Sequence, residues 1–188
     1  MKKIAIFASG SGSNAENIIC FFNKDPEMKV DSVFCNVPDA FVFKRAEKYH
    51  IPSFLFDKEE MQNPRKLLRQ LRERGIDFIV LAGFLWLMPA CILENYPDKI
   101  VNIHPALLPA YGGKGMYGMK VHEAVIAAGE KQSGITIHYI NSRYDEGNII
   151  FQAKCDITAE DTPETLAQKV HALEYEHFPR IIRDILLR

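Results

Sequence analysis

The sequence predicts an α/β fold: a single-domain, doubly wound, mostly parallel sheet with an antiparallel C-terminal hairpin and a long C-terminal helix. Three observations support it. Short apolar segments alternate with helical patterns through the first hundred residues, which is typical of repeated βαβ units. Two strand-like segments then flank a short turn that contains Asp145 and Gly147. Thr162-Pro163 finally opens a long helical pattern, with Thr as N-cap and Pro at the first helical position.

Each element follows from its apolar pattern. Short apolar runs predict strands at residues 3–8, 30–36, 51–56, 78–82, 100–103, 133–141 and 148–157. Helical spacing predicts helices at residues 13–23, 41–49, 65–74, 119–128 and from 163 onward. Ile18, Ile19 and Phe22, for example, share one face of the first helix. Pro179 should kink the last helix or split it in two, and a glycine-rich loop covers residues 110–118.

Composition limits the classes of protein that fit. With 188 residues the chain suits one domain. A formal net charge of -1 argues against nucleic-acid partners, and the apolar runs are too short to span a membrane. Four scattered cysteines predict buried, reduced thiols, a cytoplasmic location and no zinc site. They are Cys20, Cys35, Cys91 and Cys155.

The loop at residues 9–14 joins the first strand to the first helix. Its sequence is Ser-Gly-Ser-Gly-Ser-Asn. Glycines let an oxyanion approach the backbone amides, and a helix N-terminus adds free N–H groups and a positive dipole end. A mononucleotide phosphate therefore suits this loop better than NAD, since the third glycine of the dinucleotide motif is absent. A plain tight turn capped by Ser or Asn fits the same residues.

Asn102 and His104 stand two residues apart at the end of a predicted strand, so their side chains should share one face. The amide can donate to a developing oxyanion, and an imidazolium can add a second donor and deliver a proton. Asp145, if near, should raise the His104 pKa and favour that protonated form. The alternative is a core histidine bonded to a backbone carbonyl. The other histidines, His122 and His138 among them, are expected to be structural or exposed.

Four motifs carry a family resemblance over almost the whole chain. They are the loop at 9–14, Leu-Ala-Gly-Phe at 81–84, Asn-Ile-His-Pro-Ala-Leu-Leu-Pro at 102–109, and residues 133–138 taken with Asp-Glu-Gly at 145–147. Together they resemble the phosphoribosylglycinamide formyltransferase family of folate-dependent enzymes. The resemblance implies formyl transfer from 10-formyltetrahydrofolate to the amine of glycinamide ribonucleotide, a step of purine biosynthesis that needs no metal. A monomer or weak homodimer is the expected assembly.

The resemblance also implies that residues 1–100 form a phosphate- and nucleotide-binding half of the domain and residues 101–188 a catalytic and folate-binding half. It further implies roles for individual residues. Catalysis would fall to Asn102, His104 and Asp145. The substrate phosphate would bind Gly12, Ser13 and Asn14, and its ribose hydroxyls would bind Glu174. Folate would contact the following residues: Arg65, Leu85, Trp86, Leu87, Met88, Asn141, Ser142, Arg143 and Tyr144.

The chain departs from the family pattern at three places. Residues 111–118 are longer than in many relatives, Trp86 stands where Arg is frequent, and Glu146 stands where Gly is frequent. Three other functions remain open on the sequence. A formyltetrahydrofolate hydrolase would need no phosphate loop, a methionyl-tRNA formylating enzyme would need more length and basic charge, and a non-catalytic nucleotide-binding module would leave the Asn/His/Asp set idle.

Overall fold

The computed structural model describes all 188 residues, which form seven strands and seven helices. The strands are β1 Lys2–Ala8, β2 Met28–Cys35, β3 Ser53–Leu55, β4 Phe78–Leu81, β5 Ile100–His104, β6 Gln132–Tyr139 and β7 Ile149–Asp156. The helices are α1 Ser13–Phe22, α2 Val42–Lys48, α3 Lys58–Gln62, α4 Arg65–Glu73, α5 Ala90–Asn95, α6 Met119–Ala127 and α7 Pro163–Leu187. Hydrogen bonding orders the strands β3-β2-β1-β4-β5-β6-β7, so the predicted mixed, mostly parallel sheet is confirmed.

The chain divides into two compact units, residues 1–101 with 186–188, and residues 102–185. In the first unit, β1 pairs in parallel with β2 and β4, and β2 pairs in parallel with β3. Residues 4–8 of β1 and all of β4 are apolar and buried, as expected of central parallel strands covered on both faces. Phe7 and Phe34 stack on neighbouring strands with ring centroids 4.9 Å apart, which ties β1 to β2 within the core of this unit.

The second unit contains the expected hairpin. β6 and β7 pair antiparallel from Gln132–Asp156 to His138–Ile149. The buried side chains of β6 include Ile135 and Ile137. β5 begins in the first unit and ends in the second, so that Asn102 and His104 belong to the unit that also carries the hairpin.

The structure corrects three expectations. Of the kink or split expected at Pro179, the split is wrong: α7 runs unbroken from Pro163 to Leu187, and Phe178 and Ile182 on either side of the proline are fully buried. The short helices α3 and α5 were not predicted; α3 is stabilised by a capping box in which the Asp57 side chain accepts from Glu60 N. Of the four cysteines predicted to be buried, only Cys35 is; Cys91 and Cys155 are half-buried, and Cys20 is exposed on the outward face of α1.

None of the helices combines the length with the apolar composition that crossing a membrane requires. The longest, α7, is amphipathic, with buried residues such as Leu166 and Val170 recurring at helical spacing.

Gly134 on β6 should be intolerant of a side chain. A Cβ there would run into the carbonyl of Ala153 on β7, and a paired strand cannot move away without losing ladder hydrogen bonds. We expect Gly134→Ala to lower the free energy of unfolding by roughly 1–3 kcal/mol, measured by urea denaturation. Gly10→Ala is the control, because nothing lies within 4 Å of its Cβ position. Equal stability of the two variants would contradict this account.

Candidate active site

Asn102, His104 and Asp145 lie together at the end of β5. The amide nitrogen Nδ2 of Asn102 is 3.4 Å from Oδ1 of Asp145, and Nδ1 of His104 is 3.5 Å from its Oδ2. Alternation along β5 places the amide and the imidazole on one face, and the β6–β7 turn supplies the carboxylate. His104 is 3% exposed, so these groups interact with little screening by water.

His138 is a fourth member of the cluster, and the sequence argument missed it. Its Nε2 lies 3.1 Å from Asn102 Nδ2 and 3.6 Å from Asp145 Oδ1. Its Nδ1 is 2.8 Å from the Tyr139 carbonyl, which can only accept, so Nδ1 carries a proton. The available signal was a polar residue near the end of an otherwise buried apolar strand.

The glycine-rich loop bonds directly to His104 and Asp145. The carbonyl of Tyr111 is 2.7 Å from Nε2 of His104, and the N–H of Gly113 donates to Oδ2 of Asp145 at 2.9 Å. Gly112 lies between them, where a Cβ would overlap Leu108 and approach Cβ of Asp145 at 3.2 Å. His104 thus has the backbone carbonyl partner expected of a core histidine as well as the neighbours expected of a catalytic one.

The pKa of His104 is lowered, which corrects the expectation of a resting imidazolium. Burial lowers the pKa most; the charge of Asp145 and the Tyr111 carbonyl raise it, but they do not outweigh burial. The neighbouring charge can be inferred from the sequence, whereas the desolvation of the ring arises only from tertiary packing. His104 is therefore neutral at neutral pH, with its proton on Nε2 and an unprotonated Nδ1 facing Asp145.

Asp145 shows the opposite balance. Burial raises the pKa of its carboxyl, but hydrogen bonding with His138, the charge that His104 carries when protonated and the Gly113 N–H together lower that pKa by more. The net direction is downward, so the carboxylate is ionised at neutral pH. Its main-chain φ of +56° places a non-glycine residue in the left-handed region, and a residue so constrained is often functional.

A cavity of about 530 Å³ adjoins Asp145. Tyr144, Asp145 and Glu146 from the β6–β7 turn form one side of it. The rest of its lining comes from Leu108, Pro109, Gly112, Gly113, Gly147 and Ile149. Within the segment predicted to bind folate, Tyr144 lines this cavity and is half-buried, whereas residues 141–143 are exposed.

Glu174 lies on α7 and is 5% exposed, which is rare for a carboxylate. Its Oε2 accepts a hydrogen bond from Nδ1 of His171 at 2.8 Å, and this bond raises the pKa of His171. His122 on α6 is also buried, and its Nδ1 has no hydrogen-bond partner. Burial, followed by the charge of His171, lowers the pKa of His122, although Glu174 opposes this.

The remaining predicted site residues lie in the first unit. Gly12 is the N-cap of α1 with φ +73°, and a Cβ there would overlap Val42, so only glycine fits. Ser13 and Asn14 form the first turn of that helix. The segment 85–88 has no regular structure: Leu85 and Leu87 are each 40% exposed. Within the same segment, Met88 is buried and the Trp86 ring packs edge-on against Phe56. Arg65 is exposed at the start of α4.

No group of three or more His, Cys, Asp or Glu side chains is arranged to hold a metal ion. Asn102 instead lies within hydrogen-bond distance of His138 and Asp145, and His104 and Asp145 are hydrogen-bonded to the loop backbone. Such an arrangement can move a proton and stabilise an oxyanion, which is the chemistry of acyl transfer.

Similarity to known proteins decides the family. The profile of the family described as formyl transferase matches residues 2–182. This chain belongs to the formyl transferase family. It is 39% identical over 191 residues to a phosphoribosylglycinamide formyltransferase of Bacillus subtilis, covering 99% of this chain and 95% of the relative. It is 40% identical to the chloroplastic phosphoribosylglycinamide formyltransferase of Arabidopsis thaliana, covering 98% of this chain and 65% of that protein.

The fold agrees. A crystal structure of phosphoribosylglycinamide formyltransferase from Bacillus halodurans superposes with a TM-score of 0.89 at 38% identity, over 98% of this chain and 95% of that one. The resemblance drawn from the four motifs is therefore confirmed, as is the prediction of a transferase. The relatives favour transfer over the hydrolase and the non-catalytic module.

His122 should make the protein acid-sensitive. Its pKa is lower in the folded than in the unfolded state, so below its ordinary value of 6.5 the unfolded chain binds more protons and stability falls. We expect His122→Gln to lose less stability between pH 7 and pH 5 than the unmodified protein, measured by urea denaturation across that range. His50→Asn at an exposed position is the control and should keep the original slope. An unchanged slope in His122→Gln would refute the assignment.

Proposed function

We propose that the protein transfers the formyl group of 10-formyltetrahydrofolate to the amine of glycinamide ribonucleotide, in de novo purine biosynthesis. The observation that carries the proposal is the convergence of an amide, a neutral imidazole and an ionised carboxylate beside a cavity. The two substrates are proposed by analogy with relatives named phosphoribosylglycinamide formyltransferase.

The proposed reaction needs one nucleophile, one oxyanion donor and one proton carrier. The substrate amine attacks the formyl carbon, and a C–N bond forms. Asn102 Nδ2 turns one N–H from its long 3.4 Å contact with Asp145 toward the developing oxyanion. Neutral His104 accepts the amine proton at Nδ1 and returns it to the departing folate nitrogen as the old C–N bond breaks.

Asp145 contributes by its charge. His104 gains a positive charge within 3.5 Å of the carboxylate when it accepts the proton. In a buried site this attraction is much stronger than in water, so Asp145 stabilises the imidazolium only after it forms. His104 is therefore a base in the resting enzyme and becomes an acid in the intermediate.

Binding roles complete the proposal. Gly12, Ser13 and Asn14 bind the substrate phosphate through α1 amides, and Glu174 accepts from the ribose hydroxyls. The folate co-substrate contacts the remaining predicted residues: Arg65, Leu85, Trp86, Leu87, Met88, Asn141, Ser142, Arg143 and Tyr144. We further propose that the protein acts in the cytoplasm as a monomer or weak homodimer, without a metal, nucleic acid or membrane partner.

The deciding experiment follows formyl consumption from 10-formyltetrahydrofolate with and without glycinamide ribonucleotide. Consumption that depends on the ribonucleotide and yields its formylated product supports the proposal. Consumption without it indicates the hydrolase, and none under either condition indicates a binding module.

Removing either partner of the catalytic pair should abolish most turnover. We expect His104→Ala and Asp145→Asn each to lower kcat by on the order of 10²-fold or more, because proton transfer and its charge stabilisation are lost. Steady-state kinetics with both substrates measures this. Asp184→Asn at an exposed position is the control and should retain full turnover. Near-normal kcat in His104→Ala would rule out the proton-transfer role.

His138 should influence turnover through its contacts with Asn102 and Asp145. His138→Leu removes the ring that contacts Asn102 and Asp145, and so weakens the forces that keep the pKa of Asp145 low. We expect a roughly 10- to 100-fold lower kcat, in line with the loss of one hydrogen bond to a charged group. A kinetic pH profile should show the acid limb moving to higher pH, since Asp145 then protonates earlier. An unmoved acid limb would contradict the link to Asp145.

A further inference from the structure

Tyr111 joins the protein surface to the catalytic imidazole. Its hydroxyl donates to Oε1 of Glu130 at 2.7 Å, in a contact exposed to solvent. Its carbonyl, at the other end of the same residue, accepts from Nε2 of His104 at 2.7 Å. Glu130 follows the C-terminal end of α6, so the loop after β5 is anchored to the end of the helix that follows it.

The Tyr111 backbone is held in a conformation that a tyrosine rarely adopts. Its φ is +56°, in the left-handed region, where residues other than glycine, asparagine and aspartate are strained. Such strain persists only where surrounding contacts enforce it. The hydrogen bond to Glu130 anchors the Tyr111 side chain. Rotation of φ back to negative values would turn the Tyr111 carbonyl away from His104.

Two acceptors compete for the single proton of neutral His104. The Tyr111 carbonyl draws it to Nε2, and the ionised carboxylate of Asp145 draws it to Nδ1. The carbonyl lies at hydrogen-bond distance, 2.7 Å, whereas the carboxylate oxygen is 3.5 Å away. The proton of His104 therefore lies on Nε2, but only while the Tyr111 carbonyl stays in place.

We propose that Tyr111 and Glu130 are a positioning pair that fixes the His104 proton on Nε2 and keeps Nδ1 unprotonated. The identification of Nδ1 as the proton acceptor in catalysis rests on the proposed function; the control of the tautomer does not. Without the pair, the proton moves to Nδ1 and bonds Asp145. The atom that should accept the amine proton is then already occupied.

Other charged groups around His104 do not replace this control. Asp145, His138 and Glu174 all act on it through their charges, and the Tyr111 carbonyl is the neutral partner. That carbonyl raises the His104 pKa, so its displacement lowers the pKa further. The acid limb of the kinetic profile that belongs to His104 should therefore move to lower pH in a variant without the pair.

The test measures the tautomer and the kinetics in the same variants. Two-bond ¹H–¹⁵N correlation spectra of the substrate-free protein report which ring nitrogen of His104 is protonated, with His104→Asn assigning its signals. The variants are Tyr111→Phe, Glu130→Ala and Glu130→Gln, whose amide oxygen can still accept from the tyrosine. Tyr117→Phe is the matched control, since that ring packs against Lys120 instead.

We expect the Nε2–H form in the unmodified protein, in Glu130→Gln and in Tyr117→Phe, and a growing Nδ1–H population in Tyr111→Phe and Glu130→Ala. In those two variants kcat should fall about 2- to 10-fold, the range for one neutral hydrogen bond. KM for both substrates should change less than kcat.

An unchanged tautomer in both Tyr111→Phe and Glu130→Ala overturns the proposal. Glu130 is exposed, so Glu130→Ala remains informative if the tyrosine variant folds poorly. A shifted tautomer with unchanged kcat overturns the assignment of Nδ1 as the working nitrogen. A shifted tautomer in a protein that formylates no ribonucleotide supports the positioning pair and refutes the proposed function instead.

Discussion

The second unit is organised around a largely buried charge, the carboxylate of Asp145, whose side chain is 11% exposed. A buried anion is costly unless it is paired and hydrogen-bonded. Here a backbone N–H, an amide and two imidazoles surround it. Because these four groups come from three segments, satisfying this charge brings together the end of β5, the glycine-rich loop and the β6–β7 hairpin.

The same requirement explains the loop glycines. Gly113 must present its N–H to Asp145, and Gly112 must pass between Leu108 and Cβ of Asp145 with no side chain of its own. The loop is thus part of the site's electrostatics. Its carbonyl at Tyr111 orients the imidazole, and its amide at Gly113 lowers the pKa of the carboxyl.

Burial determines the direction of the chemistry. A surface histidine beside an aspartate would rest as an imidazolium, but His104 has lost enough water contact that its pKa falls despite that neighbour. The site therefore rests with a base and an anion, and it becomes zwitterionic only when a proton arrives. In the reaction we propose, such a site would stabilise the charge-separated intermediate more than the resting state, which is the condition for catalysis.

Local pattern determined much of this protein. Apolar periodicity placed the strands and the long helices, and alternation along β5 placed Asn102 and His104 on one face, because side-chain direction depends only on nearby backbone geometry. The motif at residues 102–109, with the loop at 9–14, indicated the family. Tertiary structure decided what depends on contacts between distant residues. These features are the contact of His138 with Asn102, the unbroken helix through Pro179, and the neutral state of His104 with its proton on Nε2. Desolvation and hydrogen-bond partners arise only when segments far apart in the chain pack together, and no local pattern encodes them.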